Sequence, residues 1–332
     1  MRRLKRYICL VGLLALLAAA LTGCGFSDDS VEELFTLPRM AEEYTGLTQE
    51  LEALITQGYE YASPTGGRNI QSVQMADLDG DGQQEALAFF RMSSDEKPLK
   101  IFVFKIEGDS YARYCTIESS GTAIDSVYYQ DLNGDGRREL IVGWRISAEV
   151  QTVAVYTVAR EPVALMSSGY TRFTIQDLNG DGIPSLLVLR TDADSQPVAE
   201  FYGWQDEQMG VAYRCVLSST MASVNRGSLV SGRLDADTPA LYITGVDEQG
   251  MAATDILVFR QDLGLVNLAL SGSSTGVSNA VFPYRQLLPQ DINGDGIIEL
   301  PSPDTSWTAE QTDGLVSWLC CNGDGQLATV AK

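Results

Sequence analysis

Short apolar runs bounded by turn residues fill the chain from about residue 68 onward, and they come in sets of four. In the clearest set, Asp125-Ser-Val-Tyr-Tyr-Gln130 alternates into an acidic loop and Glu139-Leu-Ile-Val-Gly-Trp144 leaves it. Thr152-Val-Ala-Val-Tyr-Thr-Val158 and Val163-Ala-Leu-Met166 follow after turn signals. The runs are rich in β-branched and aromatic residues and lack a helical stripe, which predicts four short strands. A different pattern lies between Pro38 and Gly58. There Met40, Tyr44, Leu47, Leu51, Leu54 and Ile55 fall mostly three or four apart, Glu and Gln fill the other face, and Gly58 supplies a stop. This predicts one helix within 37–60, packed on the β body as a cap; a partner-binding helix is the alternative. Ser63-Pro-Thr-Gly-Gly67 reads as the turn into the first strand.

The strand sets repeat. DLDGDGQQEAL at 77–87 recurs as DLNGDGRREL at 131–140, DLNGDGIPSLL at 177–187 and DINGDGIIEL at 291–300, with a degraded copy, RLDADTPAL, at 233–241. Their starts are 54, 46, 56 and 58 residues apart, near the roughly 50-residue period of propeller blades. The expected fold is all-β: a β-propeller of about five four-stranded blades over 68–332, with a short N-terminal helix. A β-sandwich of repeated hairpins is the alternative. Only seven residues follow Gly325. The last blade is therefore either incomplete, leaving an open ring, or closed by the strand Ile70-Gln-Ser-Val-Gln74.

The acidic loops carry the candidate chemistry. In the first, Asp77, Asp79, Asp81 and Glu85 occupy positions 1, 3, 5 and 9. Oxygen donors at alternate positions wrap a hard cation when the chain between them curls tightly, and Gly80 and Gly82 tolerate the positive φ that such a curl needs. The backbone carbonyl at position 7, Gln83, completes the shell. With no Cys or His among the donors, Ca²⁺ is favoured over zinc or copper, and Mg²⁺ demands a tighter octahedron. An EF-hand requires a bidentate Glu at position 12 and flanking helices; position 12 here is Ala88, Val142 or Val188, so these are not EF-hands or dockerin loops. Read one at a time, Asp-Gly loops are also ordinary turns.

On these loops and their spacing, the chain over about 70–300 resembles the FG-GAP/VCBS-type repeat proteins, whose D-x-[DN]-G-D-G-x-x-[DE] loops bind Ca²⁺ in propeller blades. More narrowly, it looks like the VCBS-repeat lipoproteins of anaerobic Firmicutes, a group without a defined activity. The Phe-Gly and Gly-Ala-Pro elements that name the FG-GAP repeat are absent. The resemblance implies ligands Asp131, Asn133, Asp135 and Glu139, with the Arg137 carbonyl, in the second loop. In the fifth it implies Asp291, Asn293, Asp295 and Glu299, with the Ile297 carbonyl. The third keeps Asp177, Asn179, Asp181 and the Ile183 carbonyl but has Ser185 at position 9, which implies weaker binding. The fourth has Arg233 where the first carboxylate belongs, and no ion is expected there.

Charge and the N-terminus extend the picture. The chain has 332 residues, 23 Lys+Arg, 44 Asp+Glu and no His, for a net charge of −21. Without His there is no Ser-His-Asp or Cys-His machinery and no imidazole switch, and the acidic balance argues against nucleic acid. Arg2, Arg3, Lys5 and Arg6 precede an apolar run, Tyr7 to Leu21, too short to span a membrane comfortably. It ends in Leu21-Thr22-Gly23-Cys24, which resembles a bacterial lipobox. That implies a signal peptide over 1–23, lipid on Cys24 and a tether over 24–36. An ordinary signal peptide and an uncleaved anchor are the alternatives. Cleavage removes four cations and takes the charge to −25. The product is exported and lipid-anchored to the bacterial membrane, facing outward.

Cys115 and Cys215 each lie 38 residues after the first Asp of their loops, two blades apart. They should not pair, because a disulfide needs Cα atoms within about 7 Å. A bridge between neighbouring Cys320 and Cys321 would be strained, and no C-x-x-C spacing occurs. The functional expectation is a non-catalytic, calcium-binding propeller that recognises a protein or glycan or serves as an envelope scaffold. The alternative is a polysaccharide lyase or glycosidase working through paired carboxylates. Trp204 and Trp307 suit sugar stacking, although such residues more often pack between blades.

Overall fold

In the computed structural model, which describes residues 44–250, 252–269, 288–303, 316–321 and 327–330, the apolar runs are strands covered on both faces. Every sheet among the described residues lies within the unit Gly46–Lys332. The first sheet holds β1 (Glu60–Tyr61), β2 (Val73–Ala76), β3 (Glu85–Arg91), β4 (Leu99–Glu107) and β5 (Ser110–Ser119). β1 and β2 share one edge of β3, β2 opposite Glu85–Ala88 and β1 opposite Phe90 and Arg91. The second sheet is β6 (Ala123–Gln130), β7 (Glu139–Arg145), β8 (Gln151–Tyr156) and β9 (Ala164–Gly169). The third is β10 (Arg172–Gln176), β11 (Ser185–Thr191), β12 (Pro197–Gln205) and β13 (Gln208–Val216). The fourth is β14 (Leu229–Arg233), β15 (Pro239–Val246), β16 (Ala252–Arg260) and β17 (Gly264–Asn267). The described strands of the fifth are β18 (Leu300–Pro303), β19 (Val316–Cys321) and β20 (Leu327–Thr329). The second to fifth are antiparallel meanders in chain order, and so is β2 to β5 of the first, to which β1 is added on the free edge of β3. The fold is all-β.

The packing explains why the strands read as near-continuous apolar runs. Side chains alternate across a strand, and both faces of the second, third and fourth sheets meet another sheet. Along β7, Leu140, Val142 and Trp144 join a core with Leu87, Phe89 and Ile101 of the first sheet, while Ile141 joins one with Leu186 and Val188 of the third. On β11, Leu187 and Leu189 face Leu241 and Ile243 of the fourth sheet. Ala240 and Tyr242 of β15 then pack with Ile298 and Leu300. Consecutive sheets thus stack face to face in sequence order through four apolar cores.

Several expectations need adjustment. The helix is α1 (Thr45–Thr56), with Leu47, Leu51 and Leu54 buried; Ile55, placed in the apolar stripe, is 47% exposed, because the buried stripe is narrower than the spacing suggested. The part of 37–60 before Tyr44, including Met40, lies outside the described residues. Gly58, at φ +97, ends the helix as expected. The amide of Tyr59 donates to the Leu54 carbonyl and that of Gly58 to the Ile55 carbonyl, a Schellman stop that requires a left-handed residue. The strand expected over 70–74 is β2, and it pairs with β3 of the first sheet instead of closing the fifth. A second short helix, α2 (Met221–Arg226), precedes the fourth sheet. Cys115, Cys215 and Cys320 form no disulfide. Burial pushes the Cys115 thiol up to about 11 and the Cys215 thiol up to about 12, which leaves both protonated and unreactive at neutral pH.

Candidate metal centre

The acidic loops occupy equivalent junctions: between β2 and β3, β6 and β7, β10 and β11, and β14 and β15, with the fifth closed by the Gln290–Glu299 bridge just before β18. The register is shared: Ala76 faces Glu85, Gln130 faces Glu139, Gln176 faces Ser185 and Gln290 faces Glu299. Within the loop the backbone curls around the position-1 carboxylate. In the first loop Gly80 donates its amide to Asp77 Oδ1 (2.8 Å) and Gly82 to Oδ2 (3.1 Å). Asp131 receives Gly134 and Gly136 at 2.6 and 2.9 Å, Asp177 receives Gly180 and Gly182 at 2.7 and 2.8 Å, and Asp291 receives Gly294 and Gly296 at 2.6 and 2.8 Å. The glycine amides hold the Asp291 carboxyl below the usual range. The position-7 amides of Gln83, Arg137, Ile183 and Ile297 donate to Oδ1 of Asp81, Asp135, Asp181 and Asp295 at 2.7–2.8 Å. Both glycines of every loop have positive φ, for example +75 at Gly80 and +86 at Gly82.

Position 9 separates the complete loops from the third. Glu85, Glu139 and Glu299 are buried. Each uses one oxygen to accept the position-2 amide, from Leu78 (2.7 Å), Leu132 (2.8 Å) and Ile292 (2.9 Å). Burial raises Glu85 and pushes Glu139 up to about 7, with Asp135 and Asp131 adding to the rise. Burial of a carboxylate beside other carboxylates favours a cation or a proton next to it. In the third loop Ser185 cannot supply that charge. The fourth loop is contracted: Arg233 pairs with Pro239, so Leu234–Thr238 replaces the longer Asp77–Gln84, and Asp235 merely accepts the amides of Asp237 and Thr238.

The donor set fits a hard divalent cation. It consists of oxygen atoms alone, each carboxylate oxygen bound to an amide keeps a further lone pair, and the glycine pairs allow the curl. Asp77, Asp79 and Glu85 bring ligand oxygens within 4.8 Å of one another, the one such group of three among the described residues. Asp81 stands outside that trio. In the second, third and fifth loops Asn takes position 3, and its Nδ2 donates to Asp135 (3.2 Å), Asp181 (2.7 Å) and Asp295 (3.0 Å).

Two contacts went unforeseen. Neighbouring loops dock: the position-8 amide of Arg138 donates to the Leu78 carbonyl at 2.7 Å. The third loop has Pro184 at that position and so no amide to give, and the matching Leu132 carbonyl is taken by the Trp204 indole at 2.7 Å. Trp204 is partly buried in the core between the second and third sheets, a structural role. The second contact is Lys105, which pairs with Asp79 and lies 3.5 Å from Glu85. It holds the Asp79 carboxyl below its ordinary range. An Asp at position 3, where three sister loops carry Asn, was the sequence signal for a nearby cation. Cys24 and Trp307 lie outside the described residues.

Neither a protein-family model nor a curated protein sequence matches the chain. Among solved structures it is similar to the exotype rhamnogalacturonan lyase YesX, at 14% identity and a TM-score of 0.33, covering 82% of this chain and 65% of the lyase. The chain thus spans just under two thirds of that enzyme. It is also similar to MPT-1, a GDP-Man-dependent mannosyltransferase from Leishmania mexicana, at 12% identity and a TM-score of 0.21, covering 88% of this chain and 96% of that one. Likenesses at these TM-scores carry no activity over to this chain.

Proposed function

We propose that this is an exported, lipid-anchored, non-catalytic protein whose sheets are blades of a calcium-stabilised β-propeller of about five blades, of the FG-GAP/VCBS type. It acts as a protein- or glycan-binding module or envelope scaffold. The observation that carries the reading is one loop geometry, repeated at the same strand junction in four sheets, with a buried Glu in three of them. Repetition at a fixed junction favours a role in holding the architecture over chemistry at one site. Stacking of antiparallel meanders in chain order, with the second, third and fourth sheets each buried against both neighbours in sequence, supports blades. Ions in the first, second and fifth loops, and more weakly in the third, neutralise carboxylates that otherwise repel. The ligands are twelve of the 44 acidic residues, and four ions take the mature charge from −25 to about −17. The lipobox-like Leu21-Thr-Gly-Cys24 supports the anchor.

The test is a melting curve of the full-length protein. Chelation is expected to lower Tm, and calcium at about 1 mM, the range of extracellular modules, to restore it. A Tm indifferent to both refutes the calcium reading. Replacing Cys24 with Ser should move the protein out of the membrane fraction; retention there refutes the lipid anchor.

A further inference from the structure

The first loop offers the most carboxylates, and by charge alone it would be the tightest site. Its surroundings point the other way. Ala86 pairs with Phe104 across β3 and β4, which sets Lys105, the next residue, beside Glu85. The same register places Thr157, Gly203 and Cys320 at the corresponding positions of the second, third and fifth sheets. Lys105 is therefore particular to the first loop, and so is Asp79, where the second, third and fifth loops carry Asn. The Lys105 side chain is only 18% exposed. Its Nζ contacts Asp79 and lies 3.5 Å from Glu85, two of the three carboxylates that converge on the ion position. With Lys105 in place, four carboxylates have the net charge of three.

The geometry points to Lys105 as the resident counter-cation of the first loop, so that calcium binding there is an exchange in which the ion displaces the ammonium from Asp79 and Glu85. This rests on the calcium reading above. Displacement leaves the ammonium a resting place: Nζ already stands 4.9 Å from the centroid of the Tyr114 ring, whose face attracts a cation. The buried Glu85 of the first loop therefore faces a cation without metal, whereas the buried Glu139 of the second, with Thr157 at the place of Lys105, depends on its ion. Despite its extra carboxylate, the first loop is the weakest of the three complete sites. Lys105 thus sets the calcium concentration at which this one loop fills.

Calcium titration of the full-length protein, by calorimetry with stoichiometry from equilibrium dialysis, tests this. Lys105→Met should tighten one site by about tenfold or more, leaving the rest unchanged. Lys105→Arg, which keeps the cation, should leave the isotherm at its wild-type position. A Lys105→Met isotherm that superimposes on a wild type that does bind calcium overturns the exchange and leaves the calcium reading standing. Absence of calcium binding in both proteins overturns both. Should Lys105→Met fail to fold, Asp79→Asn decides. Loss of a ligand together with its ion pair to Lys105 should change the affinity by less than about threefold, and a loss of tenfold or more overturns the proposal.

Discussion

The first and second acidic loops share a backbone path and a register yet solve the same electrostatic problem differently. Each buries a glutamate against the position-2 amide, Glu85 at 2.7 Å and Glu139 at 2.8 Å. The first adds a carboxylate, Asp79, and supplies a cation from the neighbouring strand, Lys105. The second has Asn133 and Thr157 at those places and leaves Glu139 raised to about 7 by burial. Desolvation of a carboxylate has to be answered by a cation or by a proton. One loop carries its answer in the chain, and the other takes it from solution.

Docking differs as well, and it provides the largest expected effects. A Cβ at Gly80 would stand 2.6 Å from the Gly136 carbonyl oxygen of the next loop, whereas nothing lies within 4 Å of one at Gly82. Both residues have positive φ. Gly80→Ala should therefore cost about 3 kcal/mol in urea unfolding, the left-handed penalty plus lost docking, against about 1 kcal/mol for Gly82→Ala. Gly134→Ala should fall between them, since its neighbour at 2.8 Å is the flexible tip of Ile183. Equal costs at Gly80 and Gly82 would show that the loops do not depend on each other.

The Leu132 carbonyl gives the next effect. Trp204→Phe removes its donor and should cost about 1–2 kcal/mol by the same measurement. Adding Pro184→Ala restores an amide at position 8 and should recover part of that loss, while Pro184→Ala alone should recover nothing. No recovery in the double variant would mean that the carbonyl finds another partner.

A smaller effect is expected from pH in the presence of chelator. Glu139 has its pKa raised from 4.5 to about 7 in the folded chain, and Glu85 is raised too. A raised carboxyl binds its proton more readily folded than unfolded. Its stability contribution is thus fully present below about 4.5 and is lost as pH rises through about 7. The lowered carboxyls Asp79, Asp95, Asp192 and Asp291 act in the opposite sense, but only near or below 3.8. The metal-free protein should melt higher at pH 5.5 than at pH 7.5. Thr157→Lys, which gives the second loop the cation of the first, should flatten that dependence; an unchanged slope would sever the link to Glu139.

Much of this was legible in the sequence because it is local. The loop ligands and their glycines lie within nine residues, so the positive φ values and the accepting carboxylates follow from spacing alone. The strands of the second sheet and the end of α1 at Gly58 were equally plain. What was missed joins distant residues. Lys105 is 26 residues from Asp79 and Trp204 is 72 from Leu132, and only the register of whole sheets brings them together. The burial of Glu85, Glu139 and Glu299 was likewise invisible, since a loop-end carboxylate reads as solvent-exposed until the sheets around it are in place.

The most direct measurement is the calcium content of the full-length protein, dialysed to equilibrium against millimolar calcium and counted per chain. Three filled loops and a weaker fourth predict three to four ions, falling by one in Glu139→Gln and in Glu299→Gln. A chain that holds no calcium, or one whose count is indifferent to both substitutions, would refute the assignment of these loops as metal sites.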